Sequence, residues 1–255
     1  MSPDKKSKRQ ERREKMHQQE ARRRLLTIGI ITVVAAFLVF AIVWPQIRPI
    51  AEVVAVESSP PASADRNTAG DPNAPIKIEE FADFQCPFCE RFHEQTQPLL
   101  IQHYVDTGKV HFVYRSMGNF VSQNIGGGRT ESQDAALAAY CAADQGKFWE
   151  MQDTLFANVL GEDVGSFVDR RLAAIAEKAG LDMTEFNDCY NSGKFADQIQ
   201  QDFADGSAAG ITGTPGFLIT YIANGETKTK TISGAEPFST FQQELEAILL
   251  EIGAQ

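Results

Sequence analysis

Hydrophobic positions along this chain fall into three regimes. Residues 25–44 run without a charge, LLTIGIITVVAAFLVFAIVW. At 1.5 Å per residue this run predicts one helix of about 30 Å, the thickness of a bilayer's hydrocarbon core. Over residues 45–73 no apolar period persists. Pro45, Pro49, Pro60, Pro61 and Pro72 interrupt the stretch, with Ser58, Ser59 and Ser63 between, so it is read as a linker. If flexible, a linker of that length reaches roughly 30 Å root-mean-square.

From residue 74 onward the pattern is that of a folded domain, with enough chain for a sizeable core. Residues 76–84 (IKIEEFADF) and 110–114 (VHFVY) predict strands. Apolar residues at i, i+3 and i+4 predict helices near 135–143, 148–159, 167–179, 183–192 and 194–207. Residues 216–221 and 228–232 predict two more strands, joined by the hairpin signal Asn224-Gly225. The last helix, 238–252, carries Phe241, Leu245, Ile248, Leu249 and Ile252 along one stripe. Gly126-Gly127-Gly128 marks a loop and is too short a signal for a phosphate cradle.

Charge gives these regimes different surroundings. The formal net charge is −10, yet residues 1–24 hold ten Lys/Arg against four Asp/Glu, which leaves 14 against 30 in the remainder. A basic tail before an apolar span stays in the cytoplasm, which sends the C-terminal bulk outside, and Trp44 closes the span as an interfacial aromatic does. No folded basic surface accompanies the tail, so a nucleic-acid role is set aside. A cleaved signal peptide is the competing reading, but its apolar core is about 7–15 residues long. This one is longer, and no small-residue cleavage site follows it. The expected organisation is a cytoplasmic tail (1–24), a transmembrane signal anchor (25–44), an extracytoplasmic linker (45–73) and one domain (74–255). The four cysteines, Cys86, Cys89, Cys141 and Cys189, all lie beyond the span, where an oxidising compartment permits disulfides. Four cysteines allow three pairings.

Cys86-Pro87-Phe88-Cys89 sits where the first strand gives way to a helix that begins near Pro87. A thiol there meets the unsatisfied N–H groups and positive dipole of the helix start, which favour thiolate. Cys86 is the candidate nucleophile. Cys89, one turn on, is the candidate resolving thiol that ends a mixed disulfide. Pro87 suits a first helical turn because its missing N–H costs nothing there. A static bridge or half of a zinc site are the alternatives, but zinc needs further ligands at comparable spacing. His93 is the one histidine close by, and Cys141 and Cys189 stand alone. His103 and His111 are read as solvated. Phe148 and Trp149 are read as core, with an apolar groove as the alternative.

Four separated segments, KIEEFADFQCPFC (77–89), AAYCAADQGKFWEMQDTLF (138–156), FNDCYNSGKF (186–195) and GITGTPGFLI (210–219), together resemble the DsbA-like thiol–disulfide oxidoreductases, membrane-anchored bacterial type. The resemblance implies an α/β, thioredoxin-like fold with a helical insertion at about 122–208. It implies a cis Thr214–Pro215 peptide facing the cysteines, with Thr214, Pro215, Pro87 and Phe88 at the substrate surface. The exposed Thr214 backbone would pair with an extended substrate. Many relatives carry histidine where this chain has Phe88, which leaves the oxidising strength open. Glu80 matches a buried acid in the family pattern and would exchange protons with Cys89, with a solvated edge glutamate as the alternative, whereas Glu79 points the other way. Similar proteins often carry a structural disulfide like Cys141–Cys189; free thiols or a redox relay are the alternatives. The implied activity introduces disulfides into reduced or misoxidised extracytoplasmic proteins, and a membrane redox partner recycles the pair. No organic cofactor or metal is called for. A reductase or isomerase of the same fold, a thiol-based metal-binding chaperone and a substrate-binding module are the rivals.

Overall fold

The structure, a computed structural model, describes residues 8–47 and 49–253. It divides into two units, Met1–Ile50 and Ala51–Gln255.

The first unit is one helix, α1 (Lys8–Ile47). It is longer than the apolar run because the Lys, Arg, Glu and Gln of the preceding segment are themselves good helix formers. Residues 15–44 within it are long and apolar enough to cross a membrane. The first seven residues of the expected tail lie outside the described residues.

In the second unit, six strands form one sheet in the order β1-β2-β4-β3-β5-β6. These are β1 (Ala64–Asp65), β2 (Thr68–Ala69), β3 (Ile76–Ala82), β4 (Val110–Ser116), β5 (Gly216–Ala223) and β6 (Glu226–Ser233). β3 and β4 run parallel, and the other neighbours are antiparallel. A parallel pair needs a crossover. It is supplied by α2 (Pro87–Gln95), α3 (Gln97–Leu100) and a π turn at Ile101–Val105. β5 and β6 join through Asn224 (φ 56°) and Gly225 (φ 78°), the two left-handed residues that a tight hairpin of this kind requires.

Between β4 and β5 lies the helical insertion: α4 (Phe120–Ile125), α5 (Glu131–Asp144), α6 (Phe148–Phe156), α7 (Asp169–Lys178), α8 (Met183–Ser192) and α9 (Ala196–Ala208). Asp182 caps α8 by accepting from the N–H groups of Thr184 and Glu185 at 2.8 and 3.0 Å. Cys141 on α5 and Cys189 on α8 are joined as a disulfide. A crosslink over that sequence separation stabilises by about 4 kcal/mol in the loop-entropy account. α9 returns close to the sheet: a Cβ at Gly206 would lie 2.7 Å from the Phe81 ring. α10 (Phe238–Ile252) closes the domain, with Phe241, Leu245, Ile248 and Leu249 buried.

The free linker expected over 45–73 is corrected by this structure. Its second half supplies β1 and β2, which extend the sheet beyond β4, with Thr68 opposite Val113. Residues 51–54 are held by the insertion. Buried Arg171 donates to the Ala51 carbonyl at 2.7 Å, and Asn158 both accepts from the Val54 N–H and donates to its carbonyl, each at 2.9 Å. Proline and serine broke the apolar period that would have marked these contacts, which run through backbone groups that composition does not reveal.

The core places the reactive helix. Phe92 on α2 lies 4.6 Å from Phe217 of β5 and 5.6 Å from Phe241 of α10, centroid to centroid, and is fully buried. Phe92→Ala is expected to lower unfolding free energy by about 3–5 kcal/mol, as other buried phenylalanine truncations do. Phe88→Ala, four residues away and exposed, is expected to stay within about 0.5 kcal/mol of the parent. Denaturant melts of the two variants of the full chain in detergent provide the comparison.

Candidate active site

Three elements meet at the cysteine pair: the end of β3, the first turn of α2, and the loop that enters β5. The Cys86 N–H donates to the Asp83 carbonyl at 3.0 Å, which turns the chain out of the strand. Cys86 then occupies the N-cap of α2 with extended backbone (φ −76°, ψ 119°), Pro87 takes the first helical position, and Glu90 N–H donates to the Cys86 carbonyl at 3.1 Å. Cys86 and Cys89 are both free thiols. Cys86 keeps a 6% exposed edge and Cys89 has none.

From across the site comes Thr214, whose peptide bond to Pro215 is cis. The Thr214 carbonyl oxygen lies 3.3 Å from Cys86 Sγ. Pro215 is buried. Pro87 is exposed and Phe88 is 52% exposed, and the Arg91 guanidinium sits 5.1 Å from the Phe88 ring centroid. Exposed Pro87 and Phe88 therefore lie beside the sulfur that keeps a small exposed edge.

The two sulfurs are driven in opposite directions. The Cys86 thiol is held down to about 6, first by a hydrogen bond from Cys89, against the effect of burial, and further by the Thr214 side chain and the N–H groups of Cys89 and Phe88. Cys89 is pushed well above the usual thiol range by burial, by its bond to Cys86, and by the charges of Cys86 and Glu80. Glu80, on β3 behind the pair, is pushed up to about 8 by burial and then by Cys86. At neutral pH these directions give a Cys86 thiolate, a Cys89 thiol and a protonated Glu80. Glu79 is also buried, but it is ion-paired to Lys77 at 2.9 Å and Arg115 at 2.8 Å.

A further layer was not read from the sequence. Asp83 accepts from the Gln85 N–H at 2.9 Å and the Val121 N–H at 3.0 Å, and burial pushes its carboxyl up to about 6. The Gln85 amide donates to Ser122 and Ser132, each at 2.8 Å. These bonds fasten the turn before Cys86 to α4 and α5. Two polar residues among Phe81, Phe84 and the cysteines were the available signal, since polar groups in apolar surroundings need partners.

The other singled-out residues do not join the pair. His93 Nε2 lies 3.1 Å from Asp153 Oδ1, and its ring stacks on Phe156. His103 is exposed and its ring lies against Phe238. His111 is half-buried, against the expectation of full solvation, because β4 is an interior strand of the sheet. Phe148 and Trp149 are core: Phe148 packs on Tyr114 at 5.2 Å, and Trp149 faces Phe112 at 6.3 Å. Cys141 and Cys189 are occupied with each other. Among the described residues no group of three or more His, Cys, Asp and Glu is placed to hold a metal ion.

The fold and the paired thiols define a thioredoxin-type domain. The thioredoxin family model matches residues 63–235, and the chain belongs to that family. It is 20% identical to the oxidised BdbD of Bacillus subtilis, with a TM-score of 0.59 over 78% of this chain and 99% of that one, a likeness of fold. The "Probable disulfide bond formation protein D" of Bacillus cereus is 25% identical over 161 residues, 62% of this chain and 71% of that protein. The Na+/H+ antiporter NhaA 3 of Salinispora tropica is 32% identical over 160 residues, 62% of this chain; the match spans only 22% of the antiporter's length.

The Cys86 assignment sets a pH profile. Alkylation of the reduced full chain by iodoacetamide is expected to rise with a midpoint near pH 6 and to modify Cys86 before Cys89. A midpoint in the ordinary range of about 8–9 would contradict the assignment. The sign for stability is equally definite. A depressed thiol stabilises the reduced fold above its unfolded-state value, and that stabilisation fades as pH falls through about 6.

Proposed function

We propose that this protein is a membrane-anchored thiol:disulfide oxidoreductase that introduces disulfides into extracytoplasmic proteins. The single observation that carries the reading is the opposed pair: Cys86, which keeps a small exposed edge and whose thiolate is favoured, beside a fully buried Cys89 whose thiol is favoured. In the forward step a substrate thiolate attacks Cys86 Sγ of the enzyme disulfide. The bond between Cys86 and Cys89 breaks, a bond between Cys86 and the substrate forms, and Cys89 leaves as a thiolate. Glu80, protonated at neutral pH, supplies the proton that the buried sulfur needs. A second substrate thiolate then attacks the substrate sulfur, and Cys86 departs as a stable thiolate. The substrate has lost two electrons and the enzyme pair has gained them.

The Thr214 backbone, Pro87 and Phe88 form the surface that receives the substrate, with Pro215 buried beside Thr214. Main-chain pairing at Thr214 suits many sequences, because it reads backbone rather than side chains. The anchor, with basic residues on its N-terminal side, orients the catalytic domain outside the cytoplasm. A membrane redox partner reoxidises the pair, and electrons move between sulfurs without an organic cofactor. The name of the Bacillus cereus relative agrees with this reading. Ion antiport is not carried over from the Salinispora relative. Such transport is built from repeats of several membrane helices, and one candidate span is present among the described residues.

Two measurements decide the matter. Cys89→Ser is expected to accumulate a mixed disulfide with a model substrate that itself carries a disulfide, because the Cys86 thiolate attacks that bond and releases one substrate thiolate; the adduct is visible as a mass increment that dithiothreitol removes, whereas Cys86→Ser forms none. Equilibration with glutathione is expected to give a potential of about −120 to −180 mV, in the range of oxidants and isomerases. A value near −270 mV, typical of a reductant, would sink the proposed direction.

A further inference from the structure

Glu80 and Tyr114 face one another across the sheet. Glu80 of β3 is in register with Tyr114 of β4, so their side chains leave the same face. Both residues are buried, and Glu80 Oε2 and the Tyr114 hydroxyl have no hydrogen-bond partner in the protein. A buried polar atom left so keeps the cost of its lost hydration. Here two such atoms of complementary kind, an acceptor and a hydroxyl, sit on neighbouring strands. The Tyr114 ring is fixed independently of its hydroxyl: it stacks on Phe84 at 5.2 Å and packs on Phe148 at 5.2 Å. The titratable groups interacting with this pair are Cys86 and Cys89 from α2, Asp83 from the end of β3, and Tyr140 from α5. No basic side chain is among them.

We propose that Tyr114 is the positioning residue of the buried proton relay. Its hydroxyl, linked to the Glu80 carboxyl through one buried water, orients that carboxyl toward Cys89 and tunes how readily it gives up its proton. The inference rests on the role given to Glu80 above. When Cys89 leaves as a thiolate, the proton moves from the Glu80 carboxyl to Cys89 Sγ. Tyr114 donates through the water to the carboxyl in both states, and more strongly to the carboxylate that results. Tyr114 keeps its own proton throughout, because burial and then the neighbouring Tyr140, Glu80 and Cys89 charges push its phenol well above the usual range. Polar buried sites with several partners are where internal waters reside.

The test uses the full chain in detergent and the infrared carbonyl band of the protonated Glu80 carboxyl, isolated as the difference from Glu80→Gln. Tyr114→Phe keeps the ring and removes the hydroxyl. It is expected to move the band to higher wavenumber. Loss of a hydrogen bond that is stronger to the carboxylate should also raise the band's titration midpoint by about half to one pH unit. The acid-to-base profile of disulfide exchange is expected to move by the same amount, with the melting temperature little changed. If Tyr114→Phe does not fold, 3-fluorotyrosine at position 114 preserves the shape and strengthens the donor, so band and midpoint should move the opposite way. Band and midpoint unchanged in the folded variant would overturn the inference while leaving the role of Glu80 intact. A Glu80→Gln exchange profile identical to the parent between about pH 5 and 9 would remove the relay itself, and Tyr114's part with it.

Discussion

One shared proton organises this site. The neighbouring Cys89 thiol is the largest influence holding the Cys86 thiol down to about 6. The same contact helps to hold Cys89 up. Neither effect survives a small displacement, because thiol hydrogen bonds are weak and short-ranged. Much of the domain can be understood as holding the two sulfurs in register. α2 is pinned by Phe92 between Phe217 and Phe241. The approach to Cys86 is tied by Asp83 and Gln85 to the helical insertion. The insertion is tied in turn to the sheet through Arg115, which donates to Asp202 on α9 and Glu79 on β3.

That chain of attachments explains why some of the site was legible in the sequence. A helix N-terminus is a local object, so Cys86, Pro87 and Cys89 announced themselves within four residues. The Asn224-Gly225 turn and the stripe of α10 are local in the same sense, and the structure places those elements where the pattern did. What escaped depends on residues far apart in the chain. β3 lies between β4 and β5 and is covered on both faces, so Glu79 and Glu80 are both buried. Alternation could separate their directions but not their surroundings. Glu79 differs from Glu80 because Arg115 and Lys77 reach it. The contacts of Asp83 with Val121 and of Gln85 with Ser132 span 38 and 47 residues. The strap over residues 51–58 was misread for the same reason, since Arg171 recognises its carbonyls and not its side chains.

The pattern of charge follows from these contacts as a thermodynamic cycle. Reduction exchanges a bridge that cannot titrate for a thiolate, a thiol and a nearby acid. In the reduced protein, stability attributable to Cys86 grows as pH rises through about 6 toward the unfolded-state value near 9. Glu80 acts in the opposite sense. Its carboxyl is raised from 4.5 to about 8, so its contribution is fully present below 4.5 and is lost as pH rises through 8. Between about pH 6 and 8 the two trends offset each other, and the reduced form keeps a nearly level advantage. In the bridged protein the Cys86 charge is gone.

The difference in stability between the two redox forms is, by the same cycle, the reduction potential. Each pH unit by which the thiolate is favoured corresponds to about 1.4 kcal/mol and about 30 mV for a two-electron couple. The chain has no basic side chain between its cysteines to supply that preference; Phe88 stands there, half exposed beneath Arg91. The preference must come instead from neutral donors: the Cys89 thiol, the Thr214 side chain and the N–H groups that open α2. Neutral donors fixed in a partly buried site are screened little by salt, whereas a charged neighbour at an exposed rim is screened strongly. A thiol–disulfide oxidoreductase built this way holds its potential across changes in ionic strength. The cost is strict geometry, because each donor must stay within bonding distance of one sulfur atom.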